Sequence, residues 1–194
     1  MHSWTDYIAA VGTGLTGLAI TDGRGQTLSA VDGFARWVEI THDVQTRGRY
    51  IYLVGNGASA AMASHFAADA CKNGGLRAQA FNDGALLTCT GNDLAFDQIF
   101  ALPLARFAQA GDMLVSISSS GASANILRAL ERARDMQLRI VTLSGKAADN
   151  ASRTFGDLNF YLPAARYGVV ESGHHVVLHY WLDQYLDLHG QGAV

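Results

Sequence analysis

Met113-Leu-Val-Ser-Ile-Ser-Ser-Ser-Gly-Ala-Ser123 runs almost directly into residues 126–136, and the join between the two decides the fold. Residues 113–117 are a short apolar run of strand type, whereas 126–136 carry apolar residues at helical spacing. Ser118, Ser119, Ser120 and Ser123 crowd around Gly121 at the junction. The first-turn N–H groups of a helix have no internal partner, and the helix dipole favours an anion beside them. Hydroxyls gathered at that point make a phosphate cradle. Neither Lys nor Arg lies in the loop, so neutral donors would hold the anion. The same residue types also suit an N-cap followed by a polar turn.

The pattern recurs outward from this junction. Tyr50-Ile-Tyr-Leu-Val54 reads as a strand covered on both faces, Gly55-Asn-Gly-Ala-Ser59 as a tight turn, and 60–71 as a helix. Downstream, 77–81 is a candidate strand and 96–109 a helix carrying Pro103. Residues 112–117, 138–143 and 159–162 read as strands, and 124–136 and 170–188 as helices. Such alternation predicts βαβ units: a three-layer α/β sandwich with a central parallel sheet of about five strands. Ligand sites then lie at the carboxyl ends of the strands, where both polar turns fall. Upstream, 4–20 and 28–46 read as two helices joined by a turn at 21–25. The chain is therefore expected to be one domain over 1–194, with N-terminal helices in 1–48 and the α/β core in 49–194.

Composition narrows the classes. A hydrophobic fraction of 49% with 21 glycines against 2 prolines fits a glycine-punctuated α/β core and excludes a disordered chain. The formal net charge of −3 gives no general pull toward nucleic acid or anionic lipid. Cys71 and Cys89 have no metal-ligand spacing and read as buried or semi-buried thiols of a reducing compartment. The apolar stretch 8–20 is short and broken by Gly12, Gly14 and Gly17, which suits a packing helix and not a membrane span. The opening residues lack the basic flank of a secretion signal, so the cytoplasm is the expected compartment.

Gly55-Asn-Gly57 lacks the third glycine of a dinucleotide fingerprint, because Ala60 stands at that position. No Gly-Lys-Ser/Thr and no Gly-x-Ser-x-Gly occurs. What remains is a Gly/Ser turn that lets a ligand approach the backbone, with Ser59 as a further donor. On the following helix His65 and Asp69 stand four apart, on one face. On the last helix Glu171, His175 and His179 repeat at the same spacing, with His174 beside them. Two helices could thus present two histidines and two carboxylates to one volume. That set suits a zinc-like divalent ion, or a general acid and base acting on a sugar, or simply a polar helix face. Asn92-Asp93 reads either as a polar turn for sugar hydroxyls or as the cap of the helix near Phe96. Asn56 and Lys146 occupy comparable positions.

Taken in order, several segments resemble the sugar isomerase (SIS) domain family. They are Gly55-Asn-Gly-Ala-Ser59, His65-Phe-Ala-Ala-Asp69, Gly91-Asn-Asp93, 111–125, Val141-Thr-Leu-Ser-Gly-Lys146 and the histidine-bearing last helix. The likeness is strongest to the sedoheptulose 7-phosphate (phosphoheptose) isomerases. It implies interconversion of a ketose and an aldose phosphate through an enediol. It further implies phosphate held by Ser118, Ser119, Ser120 and Ser123 with Asn56, Gly57 and Ser59 nearby, and Asn92, Asp93 and Glu171 as substrate contacts. Asp69 and His179 match the acid–base pair, and His65, Asp69, Glu171 and His179 match the residues that hold zinc in some members. A homotetramer with active sites at subunit interfaces is implied as well. Three positions depart from the family: Asp69 stands for Glu, Glu171 for Gln, and Gly168 for a substrate-contacting Asp. A second SIS branch, regulators that bind the bacterial replication initiator, resembles Gly57-Ala-Ser-Ala-Ala61. A non-catalytic phosphosugar sensor or such a regulator is the competing expectation. Those regulators lack the last-helix histidine, and His179 favours an enzyme.

Overall fold

The computed structural model describes residues 3–190. Its elements are α1 (Trp4–Thr16), β1 (Ala19–Asp22), β2 (Thr27–Leu28), α2 (Ala30–Thr46), β3 (Ile51–Gly55), α3 (Ala58–Lys72), β4 (Ala78–Ala80), α4 (Gly84–Asp93), α5 (Ala101–Phe107), β5 (Met113–Ser118), α6 (Ala124–Asp135), β6 (Arg139–Gly145), β7 (Leu158–Leu162) and α7 (Tyr167–His189). One sheet runs in the order β2-β1-β7-β6-β5-β3-β4. Strands β4, β3, β5, β6 and β7 are parallel, which is the expected five-stranded core.

Alternation along the central strands builds the layers. In β3, Ile51 and Leu53 join one buried cluster with Trp37, Phe66, Val177 and Trp181. Tyr52 and Val54 point the other way, into a cluster with Phe100, Leu104, Ile126 and Leu130. Helices α2, α3 and α7 therefore cover one face, and α5 and α6 the other. Trp37 and Trp181 stack at 4.6 Å between ring centres. The Trp181 indole N–H donates to Thr41 Oγ1 at 2.9 Å, so α2 and α7 are locked at a defined register.

The N-terminal segment differs from its sequence reading. Helix α1 stops at Thr16, and Ala19–Asp22 pairs antiparallel with β7 and with β2. Residues 21–25 are thus the turn of a hairpin and not a link between helices. Asp22 Oδ1 accepts from the N–H groups of Arg24 and Gln26 and closes that turn. The alternation of burial spans only four residues, too few to stand out beside the preceding helical run.

Three further differences are local. The expected helix over 96–109 splits into a 3-10 turn at Phe96–Gln98 and α5, with Pro103 in the first turn of α5, where a missing N–H is harmless. Asn92 and Asp93 end α4, a helix capped by Asp83, and do not form a free turn. Cys71 and Cys89 are exposed and unpaired, not buried. Among the described residues, no helix is long and apolar enough to cross a membrane.

The sheet order also locates a site. After β3 the chain moves outward to β4, and after β5 it moves the opposite way to β6. The carboxyl ends of β3 and β5, where Gly55 pairs with Ile117, are therefore a topological switch point.

Candidate active site

Two helix N-termini meet at that switch point. Gly57 caps α3 without a side-chain bond, at φ 57° and ψ −121°, a conformation open only to glycine. Ser123 caps α6, also without a side-chain bond, so its hydroxyl stays uncommitted. Asn56 and Asn125 clasp each other through paired amides at 2.9 and 2.8 Å and tie the two turns together. Asn125 escaped the sequence reading, because an Asn inside a helix start carries no signal of its own.

The turns enclose a cavity of about 150 Å³ lined by Asn56, Ser59, Ser118, Ser119, Ser120, Ser123, Tyr167 and Glu171. Ser119 Oγ is buried there without a hydrogen-bond partner. A buried hydroxyl left unpaired carries a desolvation penalty of about 1–3 kcal/mol unless a ligand supplies the missing bond. The cavity size, the unpaired hydroxyl and the two helix N-termini match a phosphate group. Lys146, at φ 57°, closes the end of β6. Its ammonium lies 3.1 Å from the Tyr167 ring centre, so it touches the cavity wall and not the loop itself.

A second cavity of about 480 Å³ adjoins the first, with Glu171 in the lining of both. His65, Tyr7, Gly168 and His175 also line it. A Cβ on residue 168 would come within 2.5 Å of the Tyr7 hydroxyl. Glycine at 168 thus leaves room for a tyrosine from α1. Tyr7 gave no sequence signal, since α1 docks on α7 only in the fold.

The helix faces bring the histidines together as their spacing predicts. The His65 ring lies 5.5 Å from that of His175 and 5.6 Å from that of His179, and His175 and His179 stack at 5.3 Å. Asp69 Oδ2 is 3.2 Å from His65 Nε2. One ligand atom from each of the three imidazoles falls within 4.8 Å of the other two. Neither Asp69 nor Glu171 is in that group. Partial burial, and then the charges of His179 and His65, hold the His175 imidazole below the ordinary histidine range. His174 faces the interior instead: its Nε2 donates to the Ser144 carbonyl at 3.0 Å, and burial pulls its pKa down to about 4.

The predicted residues therefore divide. Asn56, Ser59, the four serines and Glu171 share the first cavity, Gly57 shapes its rim, and His65, Asp69 and His179 cluster beside the second. Asn92 and Asp93 line neither cavity. The Asn92 amide instead donates to Asp93 Oδ1 at 2.7 Å on the exposed end of α4. His175, which the spacing displayed but which no role absorbed, completes the cluster as its third imidazole.

Known proteins similar in sequence and in fold point to one family. The SIS domain matches residues 27–145. A phosphoheptose isomerase of Geobacter sulfurreducens is 36% identical over 151 residues, which are 75% of this chain and 79% of that protein. One from Bordetella avium is 34% identical over 170 residues, covering 84% and 85%. The structure of phosphoheptose isomerase GmhA from Neisseria gonorrhoeae superposes with a TM-score of 0.81 at 27% identity, over 95% of each chain.

Proposed function

The chain belongs to the SIS domain family and, within it, to the phosphoheptose isomerases, and we propose that it interconverts the ketose and aldose forms of a sugar phosphate. Sedoheptulose 7-phosphate or a sugar of similar length is the substrate this reading favours. The observation that carries it is the unpaired, buried Ser119 hydroxyl inside a phosphate-sized cavity that shares Glu171 with a larger, sugar-sized one.

Ser59, Ser118, Ser119, Ser120 and Ser123 bind the phosphate together with the amides of α3 and α6. Anchoring that end fixes the sugar carbons along the second cavity, which turns proton transfer into an intramolecular-like step. Asp69 and His179 act as base and acid: one removes the proton from the carbon beside the carbonyl, the other protonates the oxygen, and the enediol collapses with the roles reversed. Asp69 is one methylene shorter than the family's Glu, so the sugar must sit closer to α3 for the transfer.

The cluster also suits zinc, since the imidazoles of His65 and His179 converge there while Asp69 pairs with His65. Zinc bound there would supply Lewis-acid polarisation of the carbonyl oxygen, and His179, occupied as a ligand, would leave the proton transfer to Asp69. The cytoplasm fits two exposed, unpaired thiols. A homotetramer with sites at subunit interfaces fits the apolar face of α1, α2 and α7, where Val31 is 78% and Tyr180 47% exposed beside a groove of about 290 Å³.

The reading is tested with a panel of ketose phosphates and a Ser119→Ala, Ser120→Ala double variant. Wild-type protein turns over at least one of them, and the variant binds it at least tenfold more weakly. A protein that binds a sugar phosphate without turning any over is a sensor.

A further inference from the structure

We propose that His65, His175 and His179 form a three-imidazole metal site, with His175 in the place that resemblance gives to Glu171. The inference deepens the isomerase reading and rests on it for the chemistry the metal would assist, while the site itself stands on the geometry of α3 and α7.

Spacing along α7 favours His175. At 1.5 Å rise per residue, Glu171 and His179 are about 12 Å apart along the helix axis, whereas His175 and His179 are about 6 Å apart. Histidines four apart on one helix are a ligand pair for a single ion, because both rings reach the same side of one turn. Their rings stack here at 5.3 Å, and His65 approaches both from α3. The ligand atoms lie within 4.8 Å of one another, against about 3.4 Å across two nitrogens of a tetrahedral zinc site. The side chains of His65 and His179 are exposed, so small rotations close that gap.

The surroundings support the same assignment. Asp69 stands 3.2 Å from His65 Nε2 and orients the ring from outside, as carboxylates do behind metal-bound histidines. That contact leaves Nδ1 of His65 for the ion. Phe66 packs against the His175 and His179 rings at 5.3 and 4.7 Å and gives the cluster an apolar floor. Three protein ligands leave a fourth position open toward the cavity that His65 and His175 line. Glu171, outside the three-imidazole group, lines both the serine cavity and the one beside the histidines. Three neutral imidazoles select zinc, nickel or copper over magnesium or calcium.

The test uses the full chain, stripped with chelator and titrated with zinc against a chromophoric competitor, and with cobalt(II) read by its visible absorption. Wild type is expected to bind one ion per chain. His175→Ala and His175→Asn are each expected to lose about 100-fold or more in zinc affinity, since even outer partners of a ligand cost 10–100-fold. Glu171→Gln is expected to bind zinc as wild type does. Circular dichroism confirms that each variant is folded. Absence of stoichiometric zinc binding by wild type overturns the proposal, as does a Glu171→Gln variant that loosens zinc while His175→Ala does not. Sugar phosphate turnover, measured on the same preparations, separates the two readings. Turnover without zinc binding leaves the isomerase and removes the metal site. Zinc binding that depends on His175, without turnover, leaves the metal site and removes the isomerase.

Discussion

Gly121 packs directly on the side chain of Asn150: a Cβ at Gly121 would overlap the Asn150 amide oxygen. Asn150 is itself buried, with its amide nitrogen donating to Ser144 Oγ at 3.1 Å and the Ala147 carbonyl at 2.8 Å. Ser152 completes the brace: its N–H donates to the Gly121 carbonyl at 2.9 Å, and its hydroxyl to Asn150 Oδ1 at 2.8 Å. The serine loop is therefore held from behind by the 3-10 turn at Ala151–Thr154. Asn150→Ala frees the loop and leaves the Ser152 hydroxyl unpaired. Its KM for the sugar phosphate should rise about tenfold or more, with a smaller change in kcat, because the phosphate grip acts on ground and transition states alike. Steady-state kinetics read that split.

How much of this was legible beforehand depended on the range of the signal. The strand–serine–helix junction, the Gly55–Ser59 turn and the four-residue spacing on α3 and α7 are local patterns, and they placed both halves of the site. Asn125, Asn150 and Tyr7 act through partners 69, 29 and 161 residues away (Asn56, Gly121 and Gly168), and no local pattern announces such pairings. Glu171 sits on the predicted helix face, but which of two adjoining volumes it serves depends on how α7 crosses α3. The β1–β2 hairpin was hidden for another reason: four residues of alternation cannot outweigh a helix running into them.

His174 makes stability depend on pH. In the folded protein burial holds its pKa at about 4, against 6.5 when unfolded. Between those values the unfolded chain binds a proton that the folded chain does not, so stability falls as pH drops through this window. The stabilisation is complete above about pH 6.5 and exhausted below about pH 4, on the order of 3 kcal/mol in all. His174→Gln can keep a donor for the Ser144 carbonyl without the titration. Denaturant unfolding at pH 7 and pH 4.5 should show a loss in wild type that the variant lacks in good part.

Asp69 and His179 are expected to fail separately from binding. Asp69→Asn and His179→Ala each should lower kcat by about 10²–10⁴, the range for removing a positioned acid or base. Binding of the sugar phosphate, read by calorimetry, should change far less, because neither residue lines the serine cavity. Asp69→Glu lengthens the side chain by one methylene and should retain more activity than Asp69→Asn. Equal kcat in wild type and Asp69→Asn would remove Asp69 from the proton transfer.

Proton transfer on a phosphate-anchored sugar leaves a trace that solvent deuterium reads. Sedoheptulose 7-phosphate is incubated with the protein in D2O and followed by NMR. An aldose heptose phosphate is expected to appear, with solvent deuterium on the carbon next to its carbonyl. Recovery of the ketose unchanged, with no aldose and no carbon-bound deuterium, contradicts that proton transfer.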